Sequence, residues 1–265
     1  NQRGDVVKGS LVFVTDGTAN SLKDWYVTTS GRPWPGRQSI EFAQYRPPID
    51  VGSAVWSGGQ AYSLTPDDSS AATKTANTAA IQAAIDYAYS NALQNINIAP
   101  GVYYCDPGIY LDAPGNLRAS LATPTIFNFS LHLHGVGGLG NHNNHGTQLR
   151  FTDNTTTALI VGTGQGMRVG ELAVLGPDGA TSRAALSANG IGIGLAGGNG
   201  GLSRVLLENV MVENFRQGIV TGFNSDSLCD AVTLWKCNVD DCYIGLHISQ
   251  TQNYINTLTD CVFSN

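Results

Sequence analysis

The C-terminal third of the chain repeats one pattern of apolar and polar positions, apolar–x–x–apolar–x–apolar. The copies are Val169-Gly-Glu-Leu172-Ala-Val174, Leu207-Glu-Asn-Val210-Met-Val212, Leu234-Trp-Lys-Cys237-Asn-Val239 and Leu258-Thr-Asp-Cys261-Val-Phe263. A second apolar segment follows three of them, at Gly190-Ile191-Gly-Ile193, Gly218-Ile219-Val220 and Gly245-Leu246-His-Ile248. Segments this short and this rich in β-branched residues predict strands, not helices. Self-similarity at a period of about 20–50 residues predicts a solenoid or a propeller. Ile219 follows Leu207 at the distance at which Leu246 follows Leu234, and the longer gap after Val169 predicts an insertion in that copy.

The arrangement these spacings predict is a right-handed parallel β-helix, in which each strand pairs with its equivalent one coil on, about 4.8 Å away. Like residues then stack. Val169, Leu207, Leu234 and Leu258 form one internal ladder, Leu172, Val210, Cys237 and Cys261 a second, and Val174, Val212, Val239 and Phe263 a third. The inward phase shifts between Leu207 and Val210, so a corner is expected at Asn209, a residue type that tolerates a left-handed backbone. Strands of a β-sandwich alternate without holding one spacing over four copies.

Upstream, one amphipathic helix is expected over 77–92, with Asn77 as its N-cap and Ile81, Ala84, Ile85 and Ala88 on one face. It precedes two short strands around Pro100-Gly101, in Asn95–Tyr104. A helix in this place would cover the first open rung, whose unpaired backbone otherwise invites aggregation. Residues 1–45 read as a small separate β module with alternating runs at Ser10–Thr15, Trp25–Thr28 and Ser39–Phe42, punctuated by Gly. Residues 46–76 read as linker and loop, and 77–265 as the capping helix and the β-helix. The chain stops just after the fourth copy, with no second segment behind it, so the β-helix is expected to be truncated there.

Composition narrows the function. Charged residues are 13% of the chain and Gly numbers 32 of 265, against a usual charged share of about 25%. The net charge is −6, with no basic run, so no nucleic-acid partner is expected. No apolar stretch reaches the roughly 18 residues of a membrane span, so no membrane insertion is expected. Five cysteines, an odd number without zinc spacing, fit a protein folded in a reducing compartment.

Asn77-Thr-Ala-Ala-Ile-Gln-Ala-Ala-Ile-Asp86, followed by Ile98-Ala-Pro-Gly-Val-Tyr103, resembles the opening motif of the pectate-lyase-like right-handed β-helix superfamily. Asn77 stands where that family usually has Asp. Ser130-Leu-His-Leu-His-Gly-Val-Gly137, with Gly146-Thr-Gln-Leu149 after it, resembles the family's first full rung. In the front module, Gly9–Gly17, Trp25–Thr29 and Gly36–Gln44 are similar to a module of bacteriophage tail-fibre and tailspike proteins, of which only the later half is present. The resemblance implies a virion protein, assembled in the host cytoplasm as a homotrimer. Its implied partners are other tail proteins and host-surface polysaccharide, which it binds and in some members degrades. The alternative is a free polysaccharide lyase or glycoside hydrolase.

Several motifs could carry chemistry. Sliding by the repeat sets Glu213 over Asp240 and Asn214 over Asp241, with Glu213 and Asp240 in the outward phase. Two acids one rung apart suit glycoside hydrolysis; Glu213 and Asp240 are therefore the candidate catalytic acids, with Asp241 third. Trp235, outward over Glu208, is a candidate sugar platform. Gly135-Val-Gly-Gly-Leu-Gly140 fits a dinucleotide fingerprint, but Asn141-His-Asn-Asn-His145 follows where a helix is required. His132 and His134 share a strand face, with His142 and His145 in the next loop, and polar surface positions explain them more simply than a metal site. No metal and no cofactor is expected.

Overall fold

The computed structural model describes residues 62–116, 130–137, 146–177 except 154 and 163, 186–196 except 188, 202–222, 229–249 and 257–264. It also describes the backbone of four short strands before residue 52. His142, His145 and the expected linker prolines lie outside these residues. The chain divides into two compact units, Asn1–Pro47 and Pro48–Asn265.

In the first unit, β1 (Leu11–Val14), β2 (Lys23–Val27) and β3 (Phe42–Gln44) form an antiparallel sheet in that order. The third strand begins where the expected run at Ser39–Phe42 ends, because Phe42 pairs with Val27.

Among the described residues the second unit is mostly β, with three large parallel sheets and one long helix. The first sheet contains β4 (Ile49–Val51), β5 (Asn95–Ile98), β8 (His132–His134), β11 (Arg168–Gly170), β15 (Leu206–Glu208), β19 (Thr233–Trp235) and β22 (Thr257–Thr259). The second contains β6 (Gly101–Cys105), β9 (Thr147–Phe151), β12 (Leu172–Leu175), β16 (Met211–Glu213), β20 (Asn238–Asp240) and β23 (Val262–Phe263). The third contains β7 (Ile109–Leu111), β10 (Thr157–Val161), β13 (Ile191–Leu195), β17 (Gln217–Thr221) and β21 (Ile244–Ile248). The short strands β14 (Leu202–Ser203) and β18 (Cys229–Asp230) pair separately. From β5 onward the chain visits first, second and third sheet in the same order on every pass. This order is consistent with a solenoid.

The register follows the apolar repeat. Val169, Leu207, Leu234 and Leu258 are successive partners in the first sheet, and Leu133 and Ile96 extend the ladder upstream. Val174, Val212, Val239 and Phe263 are successive partners in the second sheet. Each ladder buries its interior members against those of the other two sheets in one core. In the third sheet Ile219 pairs with Leu246, as the spacing predicts, but its partner on the other side is Ile193, two residues beyond Ile191. Gly192 rather than Gly190 therefore stacks on Gly218. A methyl group on Gly218 would lie 2.4 Å from Val239 Cγ1 and 2.7 Å from the Gly245 carbonyl oxygen, so the close approach of the second and third sheets admits only glycine here.

The corner between the first and second sheets is a single left-handed residue. Asn209 adopts φ 54°, as its residue type suggests, and Glu171, Lys236 and Asp260 occupy the same place on other passes at 55°, 52° and 52°. Asp260 shares asparagine's tolerance for the left-handed region; Glu171 and Lys236 do not, and the neighbouring ladders impose it on them.

The helix α1 (Ala71–Ser90) starts earlier than the expected Asn77. Ser70 is the N-cap, its Oγ accepting from the Thr73 amide, and the Asp68 carboxylate accepts from the Ser70 amide at 2.9 Å and Thr73 Oγ1 at 2.5 Å. The first two turns, Ala71-Ala-Thr-Lys-Thr-Ala76, present little apolar surface and so leave no periodic signal. Asn77 lies inside the helix, 1% exposed. Its Oδ1 accepts from the Thr65 amide at 2.9 Å, and its Nδ2 donates to the carbonyls of Thr65 and Tyr104 at 3.0 Å each. The buried face carries Ile81, Ala84, Ile85 and Ala88 as expected and packs on β6 and β7.

None of the five cysteines is joined in a disulfide. Cys237 Sγ donates to the Leu207 carbonyl and Cys261 Sγ to the Leu234 carbonyl, both at 3.3 Å, so one bond repeats from rung to rung. Burial pushes the Cys105 and Cys237 thiols up to about 12, which keeps both as inert apolar core groups. No helix among the described residues is long and apolar enough to cross a membrane.

Candidate functional site

The residues singled out by the repeat fall on two different sheets. Glu213 on β16 and Asp240 on β20 are register partners in the second sheet. Their neighbours Val212 and Val239 are fully buried in the core, so both acids point away from it. Outward phase does not make a solvated face, however. Ala173, Leu175 and Met211, on the same outer face, form a small buried apolar cluster. Glu213 itself is only 9% exposed, with Asn214 Nδ2 donating to its Oε1 at 3.1 Å.

Asp240 is half-buried and Asp241 exposed. Asp240 Oδ1 accepts from the Asp241 amide at 2.9 Å and from Ser264 Oγ at 2.8 Å. Its carboxylate therefore ties the left-handed corner at Asp241, φ 49°, to the following pass. The outward row holding the two acids reads Tyr104, Arg150, Leu175, Glu213, Asp240.

Trp235 stands on the outer face of the first sheet, between Glu208 and Thr259 in register. It is 38% exposed, and Lys236 Nζ lies over its ring at 5.1 Å from the centroid, a cation–π contact that holds the ring. The structure thus brings Glu213 and Asp240 together and sets Trp235 on another sheet.

The first sheet's outer face also holds a polar group that the repeat alone does not reveal. Its two outward rows run Asn95, His132, Arg168, Leu206, Thr233 and Asn97, His134, Gly170, Glu208, Trp235. Arg168 Nη2 and Glu208 Oε2 form an ion pair at 2.9 Å. The His132 and His134 rings meet edge to face, centroids 6.1 Å apart, and His132 Nδ1 lies 3.0 Å from Asn95 Oδ1. At the corner, Asn209 Nδ2 donates to Glu171 Oε2. Arg168 and Glu208 flank the ladder residues Val169 and Leu207 directly. The Val169–Leu207 ladder thus sets them diagonally across from one another, but an apolar pattern singles out no polar residue beside it.

Both imidazoles are held below the ordinary histidine range, first by burial and then by the Arg168 guanidinium; for His134 the carboxylates of Glu208 and Glu171 oppose the shift. A histidine that binds its proton less well when folded favours the folded state above the unfolded value of about 6.5, and that stability is lost as pH falls through it. The urea midpoint is therefore expected to fall between about pH 7.5 and pH 5.5, and the His132→Gln, His134→Gln double variant to flatten that slope. An unchanged slope in the variant would show that these rings do not couple to folding.

Among the described residues no group of three or more His, Cys, Asp or Glu side chains is placed to hold a metal ion. No protein-family model, curated protein or solved structure matches the chain.

Proposed function

We propose that this chain is a bacteriophage tailspike or tail-fibre protein, whose three parallel sheets close into a right-handed β-helix that meets host-surface polysaccharide. The observation that carries the reading is the unvarying order of the sheets behind a helix seated on β6 and β7. This is the organisation implied by the resemblance of Asn77–Asp86 and Ile98–Tyr103 to the opening of pectate-lyase-like β-helices. The antiparallel sheet of the first unit supports the virion part, since β1 and β3 fall within segments that resemble the tail module and β2 overlaps a third. In-register stacking gives a rigid surface many rungs long, and an extended hydroxyl-rich polymer suits such a surface. In this reading the working form is a homotrimer joined to other tail proteins and assembled in the host cytoplasm, where cysteines outside disulfides are stable.

A second reading, a free polysaccharide lyase or glycoside hydrolase, is favoured by the pairing of Glu213 with Asp240. Adjacent parallel strands lie about 4.8 Å apart. That is nearer the roughly 5–5.5 Å of retaining hydrolases than the wider spacing of inverting ones.

Host capsule or lipopolysaccharide, assayed for binding and for new reducing ends, tests the polysaccharide part of both readings, and no binding would remove both. Cleavage abolished by the Glu213→Gln, Asp240→Asn double variant would place catalysis on this pair in either reading. Mass spectrometry of intact phage particles separates the two: the first predicts this chain among the tail proteins, the second its absence. A monomeric mass in solution would count against the trimer.

A further inference from the structure

We propose that the outward row His134–Gly170–Glu208–Trp235 of the first sheet, with Arg168 beside it, is the saccharide contact of this protein, and that its ligand is an uncharged glycan lying along the stacking direction. The proposal rests on the polysaccharide reading above and extends it by naming the face, the direction and the charge class.

Access selects the face. On the second sheet the buried Ala173, Leu175 and Met211 separate the half-buried Tyr104 and Arg150 from Asp240, and on the third the buried Ile160 and Val220 separate Tyr110 from His247. The outer positions of the first sheet, apart from Gly170, are half-buried or exposed from His132 through Thr259. Register sets the direction. His134 pairs with Gly170, Gly170 with Glu208 and Glu208 with Trp235, so a polymer crossing the strands meets a new side chain at each step of about 4.8 Å. Gly170 carries no side chain, and the His134 ring lies over it, Nδ1 3.2 Å from where a Cβ would stand.

The chemistry suits hydroxyl groups, which both donate and accept. Trp235 supplies a flat apolar face with a polar edge. Glu208 accepts, Arg168 donates, and a neutral imidazole does both. Charge then decides the class. Arg168 is matched by Glu208 at 2.9 Å, Glu171 is bonded to Asn209, and Lys236 rests on the Trp235 ring. Two cations and two carboxylates leave no positive excess on the face, and the whole chain carries −6. A polyanion would meet a repelling field without a compensating patch.

The test is a glycan array of neutral and acidic bacterial surface polysaccharides, followed by calorimetric titration of the strongest binder. Wild type is expected to bind neutral glycans, with affinity changing less than about twofold between about 50 and 500 mM NaCl. Trp235→Ala should weaken binding by at least about tenfold, and His134→Gln should weaken it several-fold. Tyr243→Ala, an exposed aromatic outside the row, should bind as wild type; circular dichroism of each variant verifies folding. Binding of acidic glycans alone, or steep salt dependence, overturns the charge class. Undiminished binding by folded Trp235→Ala and His134→Gln overturns the face and leaves the polysaccharide reading standing. Failure to bind any glycan removes that reading and this proposal together.

Discussion

Asn77→Asp is expected to destabilise the protein by about 3–5 kcal/mol at neutral pH, the cost of leaving a buried charge uncompensated. Asn77 is almost fully buried and uses both ends of its amide: one acceptor for the Thr65 amide and two donors for the carbonyls of Thr65 and Tyr104. Aspartate keeps the acceptor and loses both donors, so an anionic oxygen faces two carbonyl oxygens. Its proton would be held more tightly folded than unfolded. The deficit should therefore be full at pH 7 and shrink as pH falls below the raised folded value, where the neutral acid donates to one carbonyl. Urea unfolding at pH 7 and at about pH 4 measures both effects, the lower pH lying near the unfolded aspartate value of about 3.9. A variant within 1 kcal/mol of wild type at pH 7 would mean that the amide does not clamp helix to strand. The prediction is pointed because the chain departs from its resembled opening motif at this residue, and the local hydrogen bonds explain why asparagine is needed here.

Leu234→Ala is expected to cost about 2–5 kcal/mol as a buried deletion that its neighbours cannot fill. Leu234 is held between Leu207 and Leu258 in register, inside the core. Leu258→Ala, one rung on, should cost far less, because Leu258 is 51% exposed. Equal losses at the two positions would contradict the difference in burial between them. The comparison reads the ladder itself, since the two residues share identity, phase and strand position.

The interior was legible because the rungs repeat. Leucine, valine and isoleucine at fixed offsets imposed the pairing of Leu207 with Leu234 and of Ile219 with Leu246, and Asn209 announced its corner by residue type. Legibility failed where repetition failed. The long insertion after Val174 left the partner of Ile219 open, and the register makes it Ile193. The helix start was hidden because Ala71–Ala76 buries little, and Ser70 with Asp68 supplies a cap that no periodicity reports.

The candidate site was legible only in part. Phase along a strand told that Glu213 and Asp240 point away from the core and stack on one another. It could not tell that Glu213 is nearly buried beside the cluster of Ala173, Leu175 and Met211, because phase gives direction and not exposure. The polar group around Arg168, Glu208 and His134 was missed for a related reason. Its members lie on three strands that no short motif joins, and only the completed register brings them into neighbouring rows.

The central claim is that successive passes of the chain pair in parallel and in register, which a pair of engineered cysteines reads directly. Thr233 and Thr257 are outward partners on β19 and β22, about 4.8 Å apart, within the roughly 4.4–6.8 Å that a disulfide spans between α-carbons. In a Cys261→Ser background, mild oxidation of the Thr233→Cys, Thr257→Cys variant should close one disulfide, located by peptide mass spectrometry. The Thr233→Cys, Thr259→Cys variant, displaced by two residues, should stay reduced under the same conditions. Equal closure of both pairs, or closure of the displaced pair alone, would contradict the register and the stacked sheets built on it.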